Sequence, residues 1–135
     1  MTAAYTLNCD GASRGNPGRA ALGVSLLDPQ GAPVAEFGRT LGVATNNVAE
    51  YEALIAGLEA ALEHGAVPLE VRLDSLLLVR QVMGEFKVKA PGLKPLHRRA
   101  VHLLAALRDV RVTHVRREHN ARADALANEA LDGDR

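Results

Sequence analysis

The spacing of apolar residues changes about a third of the way along this 135-residue chain. This change restricts the fold classes that the chain can adopt. In the first part, apolar and polar residues alternate, which is typical of half-buried strands. In the remainder, helical spacing and short apolar runs take turns, which is typical of strand–helix units. This order predicts an α/β fold with one mixed sheet, in which three antiparallel strands precede βαβ units and helices flank the sheet.

The first part predicts strands over residues 5–10, 22–26 and 34–41. Asp10 is predicted to end the first strand, because residues 11–18 are rich in glycine and other turn formers. The remainder predicts strands over residues 69–73 and 110–115. Helices are predicted at the helically spaced residues 54–62, 76–83, 96–107 and 121–131.

Composition points to one small globular domain. With 47% hydrophobic and 24% charged residues, the chain buries one core over residues 1–131, and the polar residues 132–135 are predicted to fray. The N-terminus lacks the features of a signal peptide, and no apolar run is long enough to cross a membrane. We therefore expect a cytoplasmic protein that does not bind a membrane. The lone Cys9 has no disulfide partner and suggests no zinc site.

The formal net charge of zero hides an uneven distribution. Residues 1–70 carry three arginines against eight acidic residues, whereas residues 71–135 carry 13 Lys and Arg against eight acidic residues. The second half is therefore the better candidate for contact with a polyanion, although by itself a solvated face is the commoner explanation of such charges.

Four carboxylates occupy strand ends or helix beginnings: Asp10, Glu50, Asp74 and Asp124. Glu50 shares the apolar stripe of its helix with Leu54 and Leu58, and the predicted stripe of the last helix likewise includes Asp124. Inward carboxylates are costly unless a cation or hydrogen bonds hold them. Several carboxylates converging from different elements are what a two-metal phosphodiesterase needs, and Mg²⁺ prefers such oxygen ligands.

Each carboxylate also has a structural explanation. Glu50 three residues after Asn47 fits a capping box, and Asp124 suits the positive end of a helix dipole. Asp74 is a possible N-cap, a role that Ser75 fills equally well, and Asp10 is a possible turn former. The joint occurrence of four such residues favours a metal site.

Four segments carry a resemblance to a known family. They are CDGASRGNPG at residues 9–18, TNNVAE at 45–50, LDS at 73–75 and NARAD at 120–124. In these segments the chain resembles the type I ribonucleases H, which cut the RNA strand of RNA–DNA hybrids. The resemblance implies a five-stranded mixed sheet with flanking helices, two Mg²⁺ ions (or Mn²⁺) held by the four carboxylates, and 5′-phosphate and 3′-hydroxyl products.

The same resemblance implies contacts with the hybrid and no obligatory protein partner. The nucleic-acid contacts would be Gly11, Ser13, Asn16, Thr45, Asn46, Asn47 and Ser75. Glycines leave the backbone bare, and neutral hydroxyls and amides suit 2′-hydroxyls and phosphates, although turns and caps use the same residues. The family often has a histidine before the last helix that moves protons or helps product leave, and His119 is the candidate here, although an exposed loop histidine without a role explains it equally well.

Two departures from the family concern substrate binding. Many bacterial members insert a basic helix rich in Lys and Trp, but residues 86–95 form only a short connector and the chain has no Trp. Leu76 stands where members often carry an amide. A catalytically inactive nucleic-acid-binding module and a junction resolvase of the same fold remain alternatives.

Overall fold

A computed structural model describes residues 3–133, and its five strands form one mixed sheet. The strands are β1 (Tyr5–Gly15), β2 (Gly18–Leu27), β3 (Pro33–Ala44), β4 (Leu69–Leu73) and β5 (Val110–His114). Their spatial order is β3-β2-β1-β4-β5. β1, β2 and β3 pair antiparallel, whereas β4 pairs parallel with both β1 and β5. The predicted fold class is confirmed.

Four α-helices flank this sheet. They are α1 (Asn46–Glu63), α2 (Leu76–Val82), α3 (Lys94–Leu107) and α4 (Ala121–Gly133). Helix α4 continues two residues beyond its predicted end. Asp132, one of these two residues, forms an ion pair with Arg14 at 2.7 Å. The fraying predicted for residues 134 and 135 lies outside the described residues. Among the described helices, none has the length and apolar character that a membrane crossing requires.

Strand β1 is longer than predicted, and Asp10 lies in its middle rather than at its end. The glycine-rich residues 11–15 pair with β2, with Gly11 opposite Leu22 and Gly15 opposite Gly18. The sequence reads as a turn there because it is rich in turn formers, but cross-strand hydrogen bonds extend the strand. Asn8 pairs with Arg72 of β4, so Asp10 lies level with the residues that follow β4.

The alternating residues of β2 face two different helical layers. Leu22, Val24 and Leu26 are buried in the main core with the apolar side of α1. Ala21 belongs to a second, smaller cluster with Ala127 of α4. Period-2 alternation thus gives the sheet two covered faces.

Two glycines allow the helices to approach the sheet closely. A Cβ atom on Gly11 would lie 2.2 Å from the carbonyl carbon of Ala49 in α1. A Cβ atom on Gly23 would lie 1.9 Å from the carbonyl oxygen of Ala123 in α4. Real Cβ contacts are never so short, so both positions require glycine. The residues that follow in each helix, Glu50 and Asp124, are thereby brought to the sheet.

The connector between α2 and α3 has the short form that the sequence predicts. Within residues 83–93, all of which the structure describes, the regular structure is limited to a 3₁₀ turn, Pro91–Leu93. Helix α3 follows directly at Lys94. No additional basic helix is present in this described stretch.

Candidate active site

Three acidic side chains from different parts of the chain converge at the C-terminal end of β4, beside the central strand β1. Asp10 comes from β1, Glu50 from the beginning of α1 and Asp74 from the residue after β4. One carboxylate oxygen from each lies within 4.8 Å of the others. The structure therefore brings together three of the four carboxylates that the sequence singles out.

Asp10 occupies the centre of this cluster and is only 6% exposed. Burial raises the pKa of its carboxyl group strongly, and the negative charges of Glu50 and Asp74 raise it further. The side chain of Asp124 acts in the same direction. Because like charges at this distance disfavour one another, full ionisation of the cluster calls for a cation or a shared proton.

Glu50 offers an unsatisfied oxygen to the cluster. Its Oε1 accepts a hydrogen bond from the backbone N–H of Gly11 at 2.8 Å, while its Oε2 is buried and has no hydrogen-bond partner among the described residues. Burial raises the pKa of Glu50, against the opposing effects of the Gly11 N–H and of Asp10. Buried polar atoms are normally paired, so Oε2 is an available ligand.

The capping-box explanation of Glu50 is wrong. The N-cap of α1 is Thr45, whose Oγ1 accepts from the backbone N–H of Val48 at 3.2 Å. Helix α1 therefore starts earlier than a cap at Asn47 would place it, and Val48 takes the position assigned to Glu50. The carboxylate of Glu50 is left for the cluster.

Asp74 is likewise free of a capping role, because Ser75 fills it. Ser75 Oγ accepts from the backbone N–H of Leu78 at 3.2 Å and caps α2. Asp74 Oδ2 instead accepts from Asn120 Nδ2 at 3.2 Å. Asn120 is 1% exposed and also donates to the carbonyl oxygen of Cys9 at 2.9 Å. Asn120 thus orients one carboxylate of the cluster.

Asp124 lies in the first turn of α4 and lines the same cavity, but it is outside the close group of three. Its Oδ1 accepts from Asn128 Nδ2 at 3.2 Å. The cavity has a volume of about 530 Å³. Predicted nucleic-acid contacts also line it: Gly11, Ser13, Asn46, Asn47 and Ser75.

Asn16 and Thr45 lie at an adjoining cavity of about 550 Å³ that also includes Asn46 and Asn47. Asn16 Oδ1 accepts from the backbone N–H of Asn46 at 3.1 Å, and Thr45 caps α1. Both residues therefore have structural roles at the start of α1. Their contacts with nucleic acid stay a prediction, as does that of Gly11, whose lack of a side chain is already explained by helix packing.

His119 is exposed and is not among the residues that line the carboxylate cavity. It lies in the 3₁₀ helix Arg117–Asn120, and the residue of this segment that reaches the cavity is Arg117. The charge of Arg117 lowers the pKa of Glu50. Sequence reasoning missed Arg117, Asn120 and Asn128, although Asn120 stands within one of the segments that carry the family resemblance.

Asp10, Glu50 and Asp74 form a candidate site for a divalent metal ion. The donors are all carboxylate oxygens, which suits a hard cation rather than zinc or copper. The unpaired Oε2 of Glu50 and the mutual repulsion of three acids are both relieved by a cation at their centre.

A carboxylate cluster across the centre of a mixed sheet, with helices on both faces, is typical of metal-dependent nucleases. The family model described as "Reverse transcriptase-like" matches residues 8–130. Ribonuclease HI of Halobacterium salinarum is 54% identical over 123 residues, which are 91% of this chain and 62% of that protein. The chain belongs to the type I ribonuclease H family.

Solved structures agree with this assignment. The crystal structure of RNase H1 from Halobacterium salinarum has a TM-score of 0.92 and 51% identity, over 96% of this chain and 98% of that chain. The structure of LC11-RNase H1 in complex with RNA/DNA hybrid has a TM-score of 0.90 and 42% identity, over 96% and 97% of the two chains. The present chain spans 62% of the length of the curated Halobacterium relative.

Proposed function

We propose that the chain is an endonuclease that hydrolyses the RNA strand of RNA–DNA hybrids with two Mg²⁺ ions and leaves 5′-phosphate and 3′-hydroxyl ends. Residues 1–131 would act as a single domain, with the hybrid as partner. The observation that carries this proposal is the convergence of Asp10, Glu50 and Asp74, with Glu50 Oε2 buried and unpaired among the described residues. Hybrid binding by the similar LC11-RNase H1 supports the choice of substrate.

The carboxylates would serve a hydrolysis that needs charge neutralisation at a phosphodiester. Bound divalent ions supply an activated water and stabilise the leaving oxygen. Asp10, at the centre of the cluster, would hold the ions together with Glu50, which would contribute its free oxygen from the α1 side. Asp124 would complete the ligand set from α4. Mn²⁺ would satisfy the same oxygen ligands.

The cavity that holds the acids also offers neutral hydrogen-bonding groups. Asn46 and Asn47 at the start of α1 and Ser13 on β1 line it. Amides and hydroxyls both donate and accept, which suits a 2′-hydroxyl, the group that distinguishes RNA from DNA. Recognition of the 2′-hydroxyl would restrict cleavage to the RNA strand.

The deciding experiment is a cleavage assay with end-labelled substrates of one sequence. We expect Mg²⁺-dependent cutting of the RNA strand in a hybrid, none with EDTA, and none of single-stranded RNA or duplex DNA. Asp10→Asn is the matched inactive control, because it keeps the shape of the side chain but removes a charged ligand.

The alternatives give different results in the same assay. A nucleic-acid-binding module would bind the hybrid in Ca²⁺ without cutting it in Mg²⁺. A junction resolvase would cut a four-way DNA junction at least as fast as the hybrid. Either result would contradict the proposed activity.

A further inference from the structure

The carboxylate of Asp124 is connected to strand β1 through two intervening side chains. Asn128 Nδ2 donates to Asp124 Oδ1 at 3.2 Å and to the Asp124 carbonyl oxygen at 3.0 Å. Asn128 Oδ1 in turn accepts from Nη2 of Arg14 at 3.3 Å, and the same nitrogen donates to Asp132 Oδ1 at 2.7 Å. A continuous chain of polar contacts therefore runs from β1 to the first turn of α4.

Asp124 needs such support more than the other acids do. Asp10 is buried, Glu50 is fixed by the Gly11 N–H, and Asp74 is fixed by Asn120. Asp124 is half-buried and lies outside the close group of three. The contacts of Asn128 hold one of its carboxylate oxygens and leave the other free.

Asn128 is well placed to orient this side chain. It lies one helical turn after Asp124, where residues four apart face each other on the same side of a helix. Asn128 is itself half-buried, and both Asn128 and Arg14 line the carboxylate cavity. Both polar atoms of its side-chain amide are engaged, because Nδ2 donates to Asp124 and Oδ1 accepts from Arg14.

We propose that Asn128 is a positioning residue that orients Asp124 as a ligand for a divalent metal ion, and that Arg14 supports Asn128 in this role. The inference rests on the proposed function, in which Asp124 is a ligand. Hydrogen-bond partners of metal ligands fix the ligand's orientation, and their loss commonly lowers metal affinity or activity 10- to 100-fold. Neither Asn128 nor Arg14 touches the metal in this assignment.

The test measures metal binding without nucleic acid, by the electron paramagnetic resonance signal of free Mn²⁺ during titration. Asn128→Ala is expected to weaken Mn²⁺ binding about tenfold. The variant should fold, because alanine is the better helix former at this position in α4. Gln30→Ala removes an exposed amide that is far from Asn128 in the sequence. This variant is the matched control and should leave the affinity unchanged.

Two double variants show whether the effect passes through Asp124. In an Asp124→Asn background, Asn128→Ala is expected to have no further effect on Mn²⁺ affinity. Arg14→Lys, which keeps the positive charge at the cavity, is expected to weaken binding about threefold, because the contact that it removes is long and exposed. That smaller effect should vanish in an Asn128→Ala background, as it must when one residue acts through another.

Two results would overturn the inference. One is wild-type Mn²⁺ affinity in Asn128→Ala. The other is an equal loss of affinity from Asn128→Ala whether or not Asp124 is present, which would mean that Asn128 acts elsewhere. Failure of the proposed function looks different, since the wild-type protein would then bind Mn²⁺ but leave the hybrid uncut.

Discussion

The backbone N–H of Gly11 lies 2.8 Å from Oε1 of Glu50 and joins β1 to the first helix at the carboxylate cluster. The hydrogen bond turns one oxygen of Glu50 toward the protein and leaves the other buried in the cluster without a partner among the described residues. A helix-capping role does not explain the buried, unpaired oxygen of Glu50, whereas the proposed role as a metal ligand does.

Glu50→Gln is therefore expected to remain folded and to lose nearly all hybrid cleavage. Glutamine keeps a carbonyl oxygen for the Gly11 N–H, but a neutral amide is a poor ligand for a hard cation. Cleavage rates in Mg²⁺ and the circular dichroism spectrum measure the two effects separately. Turnover near the wild-type level would contradict the assignment of Glu50 as a ligand.

Asp10→Asn is expected to stabilise the metal-free protein at neutral and higher pH. Burial and neighbouring acids raise the pKa of Asp10 in the folded state above its ordinary value near 3.8. The stability that Asp10 contributes is thus present below its unfolded pKa and is lost as pH rises through the folded pKa. In EDTA, the melting temperature of the variant should exceed that of the wild type by a few degrees at pH 8.

The advantage of Asp10→Asn should shrink as the pH falls towards about 4. Mg²⁺ should raise the melting temperature of the wild type more than that of the variant, because the cation binds the ionised cluster. Differential scanning fluorimetry over this pH range measures both effects. A wild type that is the more stable of the two in EDTA at pH 8 would contradict the proposed repulsion.

Arg117→Ala is expected to impair cleavage more than His119→Ala. Arg117 lines the carboxylate cavity, and its charge acts on Glu50, whereas His119 is exposed outside that cavity. Steady-state kinetics on one hybrid compare the two variants under the same conditions. A larger loss in His119→Ala would restore the role that the family resemblance gave to this histidine.

Lys87, Lys89 and Lys94 are expected to contact phosphates of the hybrid. Lys87 and Lys94 share a cavity of about 410 Å³ with His97 and Arg98, and none of the described residues that line it is acidic. Each phosphate contact that is lost should reduce the slope of log affinity against log salt by about 0.9, the value for B-form DNA. A salt titration of hybrid binding in Ca²⁺, comparing the wild type with the triple alanine variant, measures this slope. An unchanged slope would mean that these lysines form only a solvated face.

The sequence predicts the order of strands and helices well, because apolar periodicity is a local signal. It also identifies Asp10, Glu50 and Asp74, although it predicts Asp10 at a strand end and this residue lies within β1. It misplaces the end of β1, since residues 11–15 read as a turn until the cross-strand pairing with β2 is known. Hydrogen bonds between the two strands outweigh the local turn propensity of these residues.

The supporting residues are harder to predict from sequence, because their contacts are remote along the chain. Asn120 bonds to Asn8 across 112 positions, and the charge of Arg117 acts on Glu50 from the other half of the chain. The N-cap of α1 is equally hidden, since Thr45 and Asn47 are both good caps and only the backbone geometry selects Thr45.

The position of Asp124, the fourth carboxylate, depends on the absence of a side chain at Gly23 in β2. Gly23 lets the carbonyl of Ala123 rest against the strand, and Asp124 is the next residue. Any side chain at Gly23 would push the start of α4 outward and carry Asp124 away from the cavity. A buried glycine on the α4-facing side of β2 thus sets how closely the helix that carries this carboxylate approaches the sheet.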